Sequence, residues 1–216
     1  MGRAGLVWLS LLMHRPRGVS PIRSISASTM GRFSVRFACH HCGHCCTEVV
    51  CLPTPWDVIR IVRMEGANPY EFLEFLTTDE ITGVEEDDPT WLDVNGERYL
   101  MALRRDHQGC HFLDKKTQYC TIYEARPILC RLYPFALQES KEGEFLGFTL
   151  HDDVGCPKNR DGTHATAPLH ELYQDDCLHQ TDYVDLVAVF NARHDADKAP
   201  EDFIQMFVHY ERSVSV

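Results

Sequence analysis

Apolar residues recur at helical spacing in several stretches of the chain. Val58, Ile59, Ile61 and Val62 follow Thr54 and Pro55, which predicts a helix capped by Thr54, with Pro55 at its first position, running to about Glu65 and ended by Gly66. A second helix is predicted after Pro69, with Phe72, Leu73, Phe75 and Leu76 on its apolar face. Residues 79–90 are acidic and read as a loop. Asn95-Gly96 then joins "TWLDV" to "ERYLMALRR" as a two-residue hairpin, because both turn residues tolerate positive φ. "CHFLD" and "YCTIY", separated by the polar "KKTQ", form a second candidate hairpin. Pro127 opens a short helix, "PILCRLY", which Pro134 stops, and "GEFLGFTLHDD" reads as a further strand. From Pro168 onward, "LHELYQDDCL", "DYVDLVAVFNARH" and "PEDFIQMFVHYERSV" are helical by apolar spacing. The sum is an α+β fold, with an irregular cysteine-rich centre of short hairpins flanked by helices.

The chain has 216 residues, 44% of them hydrophobic and 25% charged, which is ordinary globular composition. Its formal net charge of -11 would repel a phosphate backbone and argues against nucleic acid as a partner. The runs Glu85, Glu86, Asp87, Asp88 and Asp175, Asp176 read as solvated faces. No acidic residue precedes Glu48, whereas Arg3, Arg15, Arg17, Arg23, Arg32 and Arg36 all do. The apolar run at residues 4–13 is too short to span a bilayer, so no membrane partner is expected. Met30 offers itself as the translation start, which makes residues 1–30 an extension and residues 31–216 a single cysteine-cluster domain with C-terminal helices.

Ten cysteines are well above ordinary usage, and four of them fall in "CHHCGHCC" at residues 39–46. Cys45 and Cys46 are neighbours, whose α-carbons about 3.8 Å apart are too close for an unstrained disulfide. Cys39, Cys42 and Cys45 have the CxxCxxC spacing that aims several sulfurs at one place, as around iron–sulfur clusters, and Gly43 relieves the turn. Cys110, Cys120 and Cys130 follow at ten-residue intervals near the edges of the predicted elements, and Cys156 follows in "GCP". Any one of these later cysteines could be a small buried hydrophobe. As a set, beside the first cluster and in a reducing, cytoplasmic compartment, they favour metal ligation over disulfides.

Four motifs in this order, "CHHCGHCC", "GCHFLD" (residues 109–114), "CTIYEARPILCRLYPF" (residues 120–135) and "GCP" (residues 155–157), resemble the CxxCxxCC cysteine-cluster family, also called the YkgJ family, whose members are described as zinc- or iron-chelating. The resemblance spans roughly residues 37–157. It implies metal ligands at Cys39, Cys42, Cys45, Cys46, Cys110, Cys120, Cys130 and Cys156. Cys51 and Cys177 lie outside its pattern and read as spare thiols; His40, His41 and His44 also lie outside it and read as exposed or hydrogen-bonded side chains. Some relatives are named flagellin lysine N-methylases, which implies methyl transfer to lysine. This chain has no G-x-G turn for a nucleotide-like cofactor, and only 60 residues follow Cys156.

Eight thiolates suffice for two tetrahedral sites or one polynuclear site. Zinc would staple a loop-rich region and serve partner binding, whereas an iron–sulfur cluster would add redox or electron-transfer function with a protein redox partner. The CxxCxxC spacing favours iron–sulfur, and protein-lysine methyl transfer is the remoter alternative. Arg126 and Arg131, interleaved with the later cysteines, are candidates to offset the negative charge of the centre and so to bind the cofactor. Lys115 and Lys116 read as surface cations. The neighbours His151, Asp152 and Asp153, and the pair His170 and Glu171, read as surface residues.

Overall fold

The computed structural model describes residues 34–140, 145–151, 164–195 and 197–208, together with residues 6, 7, 156 and 162. Strand β1 (Leu6–Val7) lies parallel to β3 (Val49–Val50), and β2 (Ser34–Val35) precedes the short helix α1 (His44–Glu48). Helix α2 (Pro55–Glu65) follows the local code closely. Thr54 and Asp57 form a reciprocal capping box, Pro55 occupies the first turn, and Gly66 ends the helix in the left-handed region at φ 64.

Helix α3 (Pro69–Phe72) is a single turn, and the chain from there is β4 (Leu73–Thr77), not a continued helix. The spacing of Phe72, Leu73, Phe75 and Leu76 suits either state, since a short apolar run has no decisive period. Pairing decides it. β4 lies antiparallel to β6 (Glu97–Leu103), with Leu73 opposite Leu103 and Thr77 opposite Tyr99, while β5 (Leu92–Val94) covers the other edge of β6. Asn95 at φ 53 and Gly96 at φ 88 close the β5–β6 hairpin as the dipeptide predicts.

Past this sheet come the small pair β7 (Arg105–Asp106) and β8 (Gly109–Cys110). The second predicted hairpin shrinks to one bridge between Leu113 and Cys120. Its turn is shaped instead by Asp114, whose carboxylate accepts from the backbone N–H groups of Lys116 and Thr117, each at 2.8 Å. Helix α4 (Ile128–Leu132) starts after Pro127 as expected. The strand expected around residue 145 is β10 (Phe145–Leu150), and its partner β9 (Phe135–Glu139) was not legible in the sequence.

After β11 (His164–Ala165), the first two helices predicted for the C-terminal part form one, α5 (Thr166–Asn191). No Gly or Pro lies between Leu178 and Asp182, so nothing interrupts the i→i−4 ladder there. The last helix is α6 (Asp202–Val208), and the remainder of its predicted span lies outside the described residues.

One apolar cluster, including Val58, Ile61, Phe72, Met101, Phe190 and Phe203, joins α2, the three-stranded sheet, α5 and α6. Another joins Val35, Phe37, Ile128, Phe135, Phe148 and Tyr173. The segment from Cys120 to Leu132 touches both, because Ile122 and Ala125 belong to the first cluster and Ile128 and Leu132 to the second. Among the described residues, no helix is long and apolar enough to cross a membrane.

Two polar residues read as surface groups are interior. His170 is 0% exposed and lies against the Phe145 ring at 4.4 Å, and burial lowers its pKa. The sequence pattern around it is that of a solvated helix face, but β10 covers this side of α5. Asp176 is 1% exposed, and burial, reinforced by the charge of Asp57, pushes its carboxyl from 3.8 to about 7. A raised carboxyl value means that the native state binds the proton more tightly than the unfolded chain. Stability contributed by this group is therefore greatest below 3.8 and falls as pH rises towards about 7. Asp176→Asn is expected to melt higher than the parent at pH 8, with the difference smaller at pH 5 and gone only below 3.8. Thermal melts at both values check this, and an equal offset at the two would contradict it.

Candidate metal centre

Five stretches of chain deliver cysteines to one region. α1 carries Cys45 and Cys46, the turn before α2 carries Cys51, β8 carries Cys110, the bridge carries Cys120 and α4 carries Cys130. Gly43, at φ 72, opens α1 by letting Cys46 and Thr47 bond back to its carbonyl at 2.9 and 3.1 Å. None of the ten cysteines forms a disulfide.

The geometry divides the thiols into two neighbouring contacts. In one, Cys46 is hydrogen-bonded to Cys120 and Cys45, which raises its own pKa, while the same bonds pull Cys45 and Cys120 down to about 7. The proton thus stays on Cys46, and its neighbours approach the thiolate form, which is the state a metal requires. In the other, Cys130 Sγ lies 3.5 Å from Cys51 Sγ. The shared thiol contact raises Cys130, with burial adding to it, and burial raises Cys51 against the lowering effect of Cys130. Cys110 connects the two contacts: burial pushes its thiol up to about 12, and the charges of Cys130 and Cys120 act in the same direction.

The remaining positions are peripheral in this conformation. Cys39 and Cys42 are exposed. Cys39 bonds to the Tyr123 phenol, and the charges of Cys156, Cys45 and Cys42 are felt at the Tyr133 phenol, whose pKa is raised first by burial. Cys156 packs against the cluster containing Phe135, and so does Cys177. Among the described residues, no three His, Cys, Asp or Glu side chains already surround a single ion position. Pairs of thiols in contact, with further thiols beside them, nevertheless form the donor set that zinc or iron takes.

Two guanidinium groups supply positive charge. Arg126 lowers both Cys45 and Cys120, sits 3.7 Å above the Tyr123 ring, and keeps a buried Nε with no hydrogen-bond partner. Arg105 lowers Cys110, donates to the Thr47 carbonyl, and has a buried Nη1 without a partner. Arg131 stands in a different charge environment, with Arg60, Arg126, Asp57 and Asp175. Lys115 pairs with Asp106 at 3.2 Å at the rim. The His41 ring packs against Tyr123, tilted by 44°, at 4.4 Å between the rings. From the sequence Cys51 reads as a spare thiol, and no motif gives Arg105 a role.

Gly109 holds β8 against the first cysteine cluster. Its φ is +125, and an added Cβ would meet the Cys46 carbonyl at 2.7 Å and the Thr47 α-carbon at 3.2 Å. Both obstacles are backbone, so Gly109→Ala must part β8 from α1. The expected cost is about 2 kcal/mol, measurable as a lower denaturation midpoint, together with weaker metal retention. An unchanged midpoint would contradict the close approach.

An α+β scaffold that brings thiols from separate segments against its core defines a cysteine-cluster protein of the metal-chelating class. The chain belongs to the CxxCxxCC family, described as "Putative zinc- or iron-chelating domain", whose model matches residues 38–157. It is also similar to an uncharacterized protein of Methanocaldococcus jannaschii, at 48% identity over 40 residues, 18% of this chain and 22% of that protein. The match thus spans little more than a fifth of that relative. No solved structure matches the chain.

Proposed function

We propose that the chain binds an iron–sulfur centre through thiolates of Cys39, Cys42, Cys45, Cys46, Cys110, Cys120, Cys130 and Cys156, and exchanges electrons with a protein partner in a reducing compartment such as the cytoplasm. The observation that carries this reading is the meeting of Cys45, Cys46, Cys110, Cys120 and Cys130, from segments up to 85 residues apart in the chain, against the apolar core. When bound, the cluster supplies a one-electron redox couple whose potential depends on nearby charge and solvent exposure. The protein's own part is electrostatic. Arg126 and Arg105 offset accumulated thiolate charge, and partial burial limits water at the sulfurs.

Zinc is the second reading, and one observation favours it. The 3.5 Å approach of Cys51 and Cys130 suits two sulfurs on a single metal atom and is too close for thiolates on different corners of a cubane. In that case the metal is a structural staple, and the module serves partner binding. Iron, zinc and acid-labile sulfide measured per chain in anaerobically purified protein separate the two. Iron with sulfide and visible charge-transfer bands supports the first reading. Stoichiometric zinc in colourless protein supports the second, and neither metal in well-folded protein would sink both.

A further inference from the structure

Cys51 stands outside the eight positions that the family pattern marks, yet its Sγ lies 3.5 Å from Cys130 Sγ. A disulfide would hold the sulfurs about 2.05 Å apart. Two thiolates on one tetrahedral zinc, each about 2.3 Å from the ion, lie about 3.8 Å apart. The pair is therefore not a disulfide: the Cys130 thiol donates to the Cys51 sulfur, at a separation close to the edge length of a four-sulfur site.

The approach is built from both sides. The Cys51 carbonyl accepts from the Leu103 N–H at 2.9 Å, which pins it to the end of β6, and the next residue, Leu52, is buried. Cys130 rides on α4, whose first residue, Ile128, donates its N–H to buried Asp57 at 3.0 Å. Asp57 belongs to α2, the helix that begins just after Cys51. The two sulfurs are thus positioned by one connected framework. Cys110 and Cys45 are the further thiols whose charges reach Cys51.

We propose that Cys51 is a metal-ligating thiolate that shares one ion with Cys130, with Cys110 beside them. The proposal rests on the thiolate-metal reading above and adds a ligand that the family pattern does not contain. The alternative role for Cys51 is that of a small buried hydrophobe, for which valine is an adequate replacement.

The full-length chain, purified anaerobically, stripped and reloaded with cadmium ion alone, provides the test. Heteronuclear cadmium–proton correlation on the unmutated protein is expected to link one cadmium resonance to the Cβ protons of both Cys51 and Cys130. Cys51→Val is expected to bind cadmium, in competition with a chelator, more weakly by more than the roughly 10- to 100-fold in affinity that removal of an outer-shell partner costs. Cadmium that correlates with Cys130 and other cysteines but not with Cys51 would overturn the proposal and leave the metal reading standing. Failure of the chain to bind cadmium or any native metal would remove both. The correlation needs no variant, so a Cys51→Val protein that does not fold leaves the test intact.

Discussion

Asp57→Ala is expected to lower stability by roughly 4–5 kcal/mol, from a largely buried cation left without its carboxylate and the loss of the reciprocal half of the capping box. The side chain is 0% exposed and its two oxygens serve four donors. Oδ2 accepts from the Thr54 N–H and hydroxyl, each at 3.0 Å. Oδ1 accepts from Arg60 at 2.6 Å and from the Ile128 N–H at 3.0 Å. Alanine removes the acceptor of all four and leaves the Arg60 cation with only the backbone carbonyls of Ala125 and Arg126. For a chain of this size the melting temperature should fall by on the order of 10 °C. The loss extends to the thiols, because the Ile128 bond seats the helix that carries Cys130. Asp57→Asn should fall between the two proteins, since its nitrogen cannot accept a hydrogen bond. An alanine variant within about 1 kcal/mol of the parent would contradict this account.

Removing the metal should have an effect of similar size. A ligand that binds only the native state and is present at a thousandfold over its Kd stabilises by about 4.1 kcal/mol, equivalent to roughly 8–16 °C in Tm. Here the thiols sit on segments with little regular structure between them. α1 and α4 have five residues each, β8 has two, and Cys120 is held by a single bridge. A metal that ties such pieces together replaces the secondary structure they lack. Chelation at constant pH should therefore lower the first thermal transition. Readdition of the lost metal, under reducing conditions, should restore it. A transition that ignores both treatments would mean that the thiols pack without an ion.

Some parts of this architecture are local and were legible. The start and stop of α2 depend on Thr54, Pro55, Asp57 and Gly66, residues close enough in sequence to act within one helix. The Asn95-Gly96 turn is similar, since two positive φ values are a property of those two residues. Other features depended on partners distant in the chain. Leu73–Thr77 becomes a strand because Leu100 and its neighbours offer it a ladder. Asp176 and His170 lie on helical positions that look solvated until Asp57 or Phe145 is brought beside them.

The cysteine centre divides in the same way. Spacing put Cys39, Cys42 and Cys45 together, because short turns limit where nearby sulfurs can point, and the family resemblance supplied Cys46, Cys110, Cys120, Cys130 and Cys156 as further candidates. The approach of Cys51 to Cys130 and the placing of Arg105 beside Cys110 emerged only when the chain folded. The first pair is separated by 79 positions, whereas the second is a cross-strand pair of the short β7–β8 ladder. Chain connectivity carries turn geometry over a few residues, whereas contact between remote segments is set by packing of the whole core, and no local pattern records it.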